Sequence, residues 1–216
     1  MVLDILNLHI KKEEIVGLVG NNGQGKSTLL KLILDLAKPT QGRVLINGRD
    51  VRQDEEWKKN TGSYLDESYL INFLKVEEYF DFIAFLNGLG SAILNDRLAR
   101  FAPFFREEIM KKNKFISDYS TGGKAKIGIA AAFLANPSLV ILDEPFSHLD
   151  PSSQDFLKLF IKEYASSQGA TFIISSHQIE AIAEISTRVL LLDKGCILND
   201  ISDSNEALPI LKRYFF

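Results

Sequence analysis

One stretch constrains this chain more than any other: residues 20–27 read GNNGQGKS and match the pattern G-x-x-x-x-G-K-[ST]. The stretch lies between IVGLVG, an apolar run typical of a strand, and STLLKLILDLA, which has helical spacing and stops before Pro39. The alternative, a glycine-rich loop with an accidental lysine, does not explain why strand, spacing and helix agree. The stretch therefore predicts a cradle for the phosphates of a nucleoside triphosphate.

The residues of this cradle have separate expected roles. Glycines let the backbone wrap closely, so that its N–H groups point at phosphate oxygens. Lys26 places a positive charge over the terminal phosphates, where we expect it to act in catalysis, and Ser27 offers a hydroxyl to Mg²⁺. The residues expected to bind the nucleotide are Gly20, Asn21, Asn22, Gly23, Gln24, Gly25, Lys26, Ser27 and Thr28.

A second apolar strand, LVILDE at residues 139–144, ends in two carboxylates. Neighbouring side chains of a strand point to opposite faces, so Asp143 and Glu144 should have different functions. We expect Asp143 to hold Mg²⁺, directly or through water, and Glu144 to polarise the attacking water. The alternative is a solvated strand end before the turn at Pro145. The presence of the cradle favours the functional interpretation.

His177 follows FIISS, which has the composition of another strand. Ligands of α/β sheets bind at the carboxyl ends of the strands, so this imidazole is expected to donate a hydrogen bond to the terminal phosphate. The alternative is a packed or surface histidine.

The segment YSTGGKAK, residues 119–126, places two glycines directly before an apolar helical run. In one interpretation Ser120 caps the helix and the glycines allow the turn. In the other, serine and glycine expose backbone N–H groups to an anion at the positive end of the helix dipole. The segment alone leaves both open.

Composition excludes several classes of protein. The 216 residues suffice for one large domain or two small ones, and the net charge of -3 disfavours a dedicated nucleic-acid binder. Cys196 is the only cysteine, which excludes an intrachain disulfide and fits a reducing compartment. The amino-terminal sequence lacks the features of a signal peptide, and no apolar run approaches the roughly 18 residues of a membrane span. Service to a membrane would therefore require a partner.

The rest of the chain predicts a helical insert in an α/β core. Strand-like VIL, FIIS and VLLL alternate with helical segments, which is typical of a parallel sheet. ILNLHI predicts a half-buried strand, RVLINGRDV a hairpin with its turn at Asn47-Gly48, DEEWKKN a solvated connection, and residues 63–65 another strand. VEEYFDFIAFLNGLG and DRLARFAPFFREEIM read as helices, and residues from Asp203 onward as a short helix or tail. Most aromatic residues of the insert are expected in its own core, and some in a docking groove: Tyr69, Phe73, Phe80, Phe82, Phe85, Phe101, Phe104 and Phe105.

The cradle, the STGG helix start, VILDEP, SHLD and the strand-end histidine follow one another in this order. In this the chain resembles, along nearly its whole length, the ATP-binding subunits of ABC transporters, and more closely the exporter type. The resemblance implies an α/β fold: a P-loop NTPase core with a mostly parallel sheet, a small antiparallel β part and an inserted α-helical subdomain. It implies a single domain over residues 1–216, with the core and β part at 1–67 and 121–216 and the helical subdomain at 68–120.

The resemblance also implies further site residues. Residues 119–123 match the family's signature segment, of which Ser120 and Gly122 fit the usual form, while Tyr119, Thr121 and Gly123 depart from it. Ser120, Gly122 and Gly123 would contact the γ-phosphate of ATP held by a second copy. Asp150 of SHLD would cross the dimer interface, although capping the helix that starts at Pro151 is an equal alternative. Glu67 occupies the position of a glutamine that reaches Mg²⁺.

The implied function is hydrolysis of ATP, with Mg²⁺, to power transport through a separate membrane subunit. The implied partners are a second copy or related ATPase subunit and an integral membrane transporter subunit, without nucleic acid, at the cytoplasmic face of the cell membrane. The family usually carries an adenine-stacking aromatic ahead of the segment that VLDILNLHI resembles. No aromatic precedes the cradle in this sequence, so stacking is expected to be weak or to come from elsewhere. The main alternative is a non-transport ATPase of the same superfamily that switches a soluble complex. A small-molecule kinase would share only the cradle and would leave STGG and SHLD unexplained.

Overall fold

A computed structural model describes residues 2–109 and 113–215 of the chain. In chain order its strands are β1 (Ile15–Val19), β2 (Leu45–Ile46), β3 (Arg49–Asp50), β4 (Thr61–Tyr64), β5 (Leu139–Asp143), β6 (Thr171–Ser176), β7 (Arg188–Asp193) and β8 (Cys196–Ile201). Its helices are α1 (Lys26–Ile33), α2 (Glu56–Lys59), α3 (Val76–Leu86), α4 (Ser91–Ala99), α5 (Ala102–Ile109), α6 (Thr121–Phe133), α7 (Pro151–Gln168), α8 (Ile179–Ile185) and α9 (Ser204–Phe215). Short 3₁₀ turns lie at Glu67–Tyr69 and Ile116–Asp118.

The main sheet has the strand order β4-β5-β6-β1-β7-β8, and only the β7–β8 pair is antiparallel. A separate antiparallel pair joins β2 to β3. This mixture of a mostly parallel sheet, a small antiparallel pair and helices confirms the predicted fold class. Because β5, β6 and β1 are parallel neighbours, their carboxyl ends meet at one edge of the sheet, and this arrangement positions the site.

Alternation along the central strands supplies two cores, one on each face of the sheet. On β1, Val16 and Leu18 pack on the face covered by α1 and Trp57, whereas Ile15 and Val19 pack on the opposite face. That second face is covered by α6, α7, α8 and α9 and by the buried residues of the helical segments. Both faces of the sheet are therefore covered, as parallel sheets require.

Two local predictions made from the amino-terminal third are wrong. ILNLHI forms no strand: its Leu8 and Ile10 pack on the α1 face of the sheet, but the segment has no ladder partner within the described residues. The alternation of apolar residues therefore indicates which side chains pack on the core, but not whether the backbone pairs with a neighbouring strand. DEEWKKN is largely exposed, as predicted, but it is not a plain connection, because it contains the short helix α2, and Trp57 is buried with its indole N–H donating to the Val51 carbonyl at 3.1 Å. The hairpin is confirmed, with positive φ angles of 51° at Asn47 and 80° at Gly48.

The helical segments between residues 76 and 109 begin and end differently from their predicted spans. The second predicted helix is replaced by α4 and α5, with a break before Ala102, and its predicted end at Met110 lies outside the described residues. Lys75 precedes α3 and donates its backbone N–H to Glu78 Oε2 at 2.9 Å. The glutamate of the first turn therefore supplies this cap.

The eight aromatic residues of this region divide equally between core and surface. Phe80, Phe101, Phe104 and Phe105 are buried, whereas the other four are exposed: Tyr69, Phe73, Phe82 and Phe85. The expectation that most lie in the insert's own core is wrong in two ways. Half of them face solvent, and Phe101 packs against Phe133 of α6 and Phe160 of α7, outside the insert. Within residues 2–109 and 113–215, no helix combines the length and apolar character needed to cross a bilayer.

Candidate functional site

The cradle joins the end of β1 to the start of α1 through left-handed glycines. Gly23 has a φ of 81° and Gly25, which caps α1, a φ of 105°, conformations that a side chain would strain. Gly20 is required for a different reason: a Cβ at this position would lie 2.4 Å from the carbonyl oxygen of Leu192. Asn21, Asn22 and Gly23 are exposed. The loop therefore presents backbone to solvent ahead of the helix, as an anion cradle does.

Lys26 lies at the centre of this loop. Its side chain is only 6% exposed, and its ammonium donates to the carbonyl oxygens of Gly20 at 2.6 Å and Asn21 at 3.4 Å. The same Nζ lies 3.7 Å from Glu144 Oε1, at the end of β5. Ser27 follows with an exposed side chain and Thr28 with a half-buried one. A buried ammonium beside a carboxylate and an exposed hydroxyl is suited to triphosphate and metal binding.

Glu144 is held in an unusual backbone conformation, with a φ of 48° directly after β5. Its Oε2 accepts from the His177 backbone N–H at 3.1 Å and lies 2.8 Å from His177 Nδ1. The Ser147 hydroxyl donates to the same oxygen at 3.2 Å. The carboxylate is partly exposed, and it lies between the cradle lysine and the strand-end histidine. This geometry suits a general base that must meet a water molecule.

Asp143 is buried one residue earlier, and the hydroxyl of Ser175 donates to its Oδ1. Ser175 is a site residue that sequence reasoning missed. Its signal was a serine inside the apolar run FIIS, where a buried hydroxyl must find a partner.

Oxygen donors at this edge have the chemistry that Mg²⁺ prefers. Ser27 supplies a hydroxyl and Asp143 a carboxylate, and one oxygen of that carboxylate is already oriented by Ser175. Among residues 2–109 and 113–215, no three His, Cys, Asp or Glu side chains cluster closely enough to hold a metal ion by themselves. The residues therefore fit an ion that completes its coordination with phosphate oxygens and water.

Glu67 lies in the 3₁₀ turn after β4 and is half-buried. Burial raises the pKa of Tyr64, and the carboxylates of Glu67, Asp66 and Asp143 raise that pKa further. The turn itself is fixed by Asp66, which accepts from the Ser68 N–H at 2.7 Å. Because β4 and β5 are parallel neighbours, the turn that carries Glu67 follows β4 at the same edge of the sheet as Asp143. The contact of Glu67 with Mg²⁺ stays a prediction.

The start of α6 shows why both interpretations of YSTGGKAK arose. Ser120 caps the helix and accepts from the Gly123 N–H at 3.1 Å, so the capping interpretation is confirmed. Gly122 permits a close approach, because a Cβ there would lie 2.5 Å from the His148 carbonyl oxygen. Ser120 and Thr121 are exposed. Capping does not exclude anion binding, since the helix start remains open to a ligand.

Asp150 is confirmed as the cap of α7. Its carboxylate accepts from the Ser153 N–H at 3.2 Å and the Ser153 hydroxyl at 2.6 Å, and from the Ser152 hydroxyl at 2.8 Å. Lys126, which is buried on α6, lies 3.4 Å from Oδ2. Hydrogen bonds from Ser153 and Ser152 and the charge of Lys126 hold the pKa of Asp150 well below its usual range.

The structure brings together one group of predicted site residues and leaves a second group apart. Lys26, Asp143, Glu144 and His177 meet at the edge formed by β5, β6 and β1. The second group consists of Ser120, Gly122, Gly123 and Asp150, which lie where α6 meets the loop 147–150. Within the part of the chain that the structure describes, no hydrogen bond joins the second group to the cradle.

A glycine cradle between strand and helix, with a buried lysine and strand-end carboxylates, defines the class: an α/β nucleotide-binding protein of the P-loop type. The chain belongs to the ABC transporter family, which its sequence matches over residues 3–147.

Two relatives and one solved structure illustrate this membership. The chain is 32% identical over 204 residues to the bacitracin transport ATP-binding protein BcrA of Enterococcus faecalis, covering 94% of this chain and 65% of that protein. It is 32% identical over 217 residues to the methionine import ATP-binding protein MetN 1 of Oceanobacillus iheyensis, covering 95% and 64%. The structure of the cassette MJ0796, a dimer in a post-hydrolysis state bound to ADP and Pi, has a TM-score of 0.83 and 25% identity, covering 93% of this chain and 90% of that one. The chain spans less than two thirds of the length of the two relatives.

Proposed function

We propose that this chain is the ATP-hydrolysing subunit of a transport complex, working with Mg²⁺. The observation that carries the proposal is the position of Glu144. Its carboxylate is held at the carboxyl end of β5, 3.7 Å from the cradle lysine and 2.8 Å from His177 Nδ1. A base in this place meets a water molecule beside the terminal phosphate of a nucleotide seated in the cradle.

Each residue at the sheet edge has one step in the proposed reaction. The backbone amides of residues 20–28 and the ammonium of Lys26 hold the phosphates, and Ser27 and Asp143 are the residues that would hold Mg²⁺, with Glu67 near them. When bound, the metal neutralises charge that develops on the transferred phosphoryl group. Glu144 accepts the proton of the attacking water. The backbone N–H of His177 holds the Glu144 carboxylate, and the imidazole is the proposed hydrogen-bond donor to the phosphate oxygens.

We propose that a second copy, or a related subunit, completes the site. Ser120, Gly122, Gly123 and Asp150 lie together where α6 meets the loop 147–150, and the start of α6 is exposed at Ser120 and Thr121, where the positive end of the helix dipole suits an anion. A partner that offers this surface to the γ-phosphate would join two chains around two ATP molecules. The dimeric state of the related cassette MJ0796 supports this arrangement.

The proposed membrane partner would dock beside β4 and α3. A cleft of about 180 Å³ lies there, lined in part by Tyr64, Tyr69 and Tyr79, and the side chains of Phe73 and Phe85 are largely exposed. Aromatic residues are enriched in the cores of protein interfaces. The relatives include an import protein and a bacitracin transport protein, and we keep the export direction as the proposal to be tested. Recovery of the chain at the cytoplasmic face of the membrane would support this proposal, whereas recovery in a soluble complex would support the non-transport alternative.

The central experiment replaces Glu144 by glutamine. Glu144→Gln should keep ATP binding but lose about 10²- to 10⁴-fold in turnover, because only the proton acceptor is removed. The matched control is Glu163→Gln, an exposed glutamate of α7, which should hydrolyse ATP at the parental rate. A Glu144→Gln variant with parental turnover would exclude Glu144 as the base.

The same variant tests pairing. Since it should retain ATP, Glu144→Gln with ATP and Mg²⁺ should sediment and scatter light as a dimer. A persistent monomer at high concentration would contradict pairing of identical copies. Purification from membranes should then recover the protein together with a multi-span subunit, and recovery only with soluble proteins would favour the alternative.

A further inference from the structure

Ser175 is a buried hydroxyl to which the proposed reaction assigns no step. It lies on β6 with none of its surface exposed, and in the sheet its register partner is Asp143 of β5. The preceding residues of the strand, Phe172, Ile173 and Ile174, are apolar and buried. An unpaired hydroxyl in such surroundings is costly, so the bonds made by this serine are significant.

The hydroxyl of Ser175 makes two bonds with opposite directions. It donates to Asp143 Oδ1, and it accepts from the backbone N–H of Glu144 at 3.0 Å. One side chain therefore contacts both the carboxylate assigned to the metal and the backbone of the residue assigned as base. The Glu144 N–H also reaches the Ser175 carbonyl oxygen at 3.0 Å, so it keeps a partner when the hydroxyl is absent.

We propose that Ser175 is a positioning residue that sets the orientation of the Asp143 carboxylate for Mg²⁺. The terminal torsion of an aspartate is broad, and a charge-assisted hydrogen bond to one oxygen narrows it. With Ser175 bonded to Oδ1, we assign Oδ2 to the ion or to a water bound to it. Ser175 itself acts only through Asp143. This inference rests on the proposed function, since it assumes that Asp143 serves a metal.

The chain offers a matched control in the next residue. Ser176 is equally buried, but its hydroxyl accepts from the Gln178 N–H at 3.0 Å and caps the turn into α8. Ser175→Ala and Ser176→Ala therefore each remove one buried hydroxyl from the same strand. Only Ser175→Ala removes a bond to the metal-binding carboxylate.

The experiment measures metal dependence separately from hydrolysis. A fluorescent ATP analogue is titrated with each protein in EDTA and then at increasing Mg²⁺, and Mn²⁺ binding to the nucleotide complex is followed by electron paramagnetic resonance. Loss of a partner that orients a metal ligand typically weakens metal affinity about 10- to 100-fold. Ser175→Ala should show this shift with parental nucleotide binding in EDTA, whereas Ser176→Ala should match the parent.

Other outcomes separate the inference from the proposed function. Parental Mg²⁺ and Mn²⁺ dependence in Ser175→Ala would overturn the positioning role, as would a lowered Tm without a metal shift. A parent whose nucleotide binding ignores Mg²⁺ would overturn the inference and the metal part of the function together. A parent that binds metal and nucleotide without hydrolysis, with the shift present in Ser175→Ala, would support the inference and refute the ATPase. If Ser175→Ala fails to fold, Ser175→Cys, which keeps a weak donor, should give an intermediate shift, and parental dependence would overturn the role.

Discussion

Two adjacent glycines at the start of α6 allow a sharp test of how this helix packs. A Cβ at Gly122 would lie 2.5 Å from the carbonyl oxygen of His148, which is a backbone atom. The nearest neighbours of a Cβ at Gly123 would be side-chain atoms, of Tyr119 at 3.2 Å and of Ser120 at 3.4 Å. Both glycines lie in the first turn of the same helix. The alanine variants therefore differ mainly in whether the new methyl group overlaps a backbone atom.

The expected magnitudes follow from two opposing terms. Alanine improves helix propensity over glycine by about 1 kcal/mol at either position. At Gly122 the overlap with a backbone oxygen costs about 1–3 kcal/mol, as overpacking typically does. Gly122→Ala should therefore be less stable than the parent by about 0–2 kcal/mol, and less stable than Gly123→Ala by about 1–3 kcal/mol.

Urea unfolding of the parent and of both variants, at equal protein concentration, measures these differences. Gly122→Ala should also lower ATP turnover, because relief of the overlap with His148 displaces the start of α6, which we propose contacts the γ-phosphate of ATP bound to a partner. If Gly122→Ala is as stable as Gly123→Ala, α6 does not approach the 147–150 loop as closely as described. That result would remove the packing argument for Gly122.

Two further predictions concern stability. Burial raises the pKa of Tyr164 to about 12, from the ordinary tyrosine value of about 10. Between these values the unfolded chain loses a proton that the folded chain keeps, so the free energy of unfolding should fall by about 2 kcal/mol from pH 10 to 12. Tyr164→Phe should reduce this loss of stability at alkaline pH. At neutral pH it should cost about 1–2 kcal/mol, because the hydroxyl no longer bonds to Asn136 Oδ1 and Pro137 O. An equally steep alkaline loss in Tyr164→Phe would show that another group titrates. Phe101→Ala should lose about 3–5 kcal/mol in urea unfolding, because Phe101 is 1% exposed. Phe85 is 79% exposed, so Phe85→Ala should change the free energy of unfolding by less than about 0.5 kcal/mol. Equal losses of stability in Phe101→Ala and Phe85→Ala would contradict the burial of Phe101.

The sheet edge was predictable because its residues sit at strand ends. Each of these residues begins, ends or directly follows an element whose periodicity is plain in the sequence, and parallel strands bring such ends together: Lys26 begins α1, Asp143 ends β5, and Glu144 and His177 follow β5 and β6. Their order along the chain therefore sufficed to place them at one edge. The roles of these residues stay predictions until the variants are measured.

The remaining features depend on contacts between distant segments, which periodicity does not report. ILNLHI alternates like a strand, yet it has no ladder partner among the described residues. Trp57 lies within a charged run of the sequence, yet it packs with Val51 and the residues of α1 on one face of the sheet. Ser175 gains significance only because β5 and β6 are neighbours, which places its hydroxyl against Asp143.

The aromatic cluster around Phe101 limits how this protein can be engineered. Phe101 lies between α4 and α5 and packs against three aromatic rings from the later half of the chain. The distances from its ring centroid to theirs are 5.8 Å for Phe133, 6.4 Å for Phe156 and 4.6 Å for Phe160. A chimaera that exchanged residues 68–120 with those of a relative would leave these rings facing a foreign surface. Exchange of this region between transporters should therefore succeed only when the three phenylalanines of α6 and α7 are transferred with it.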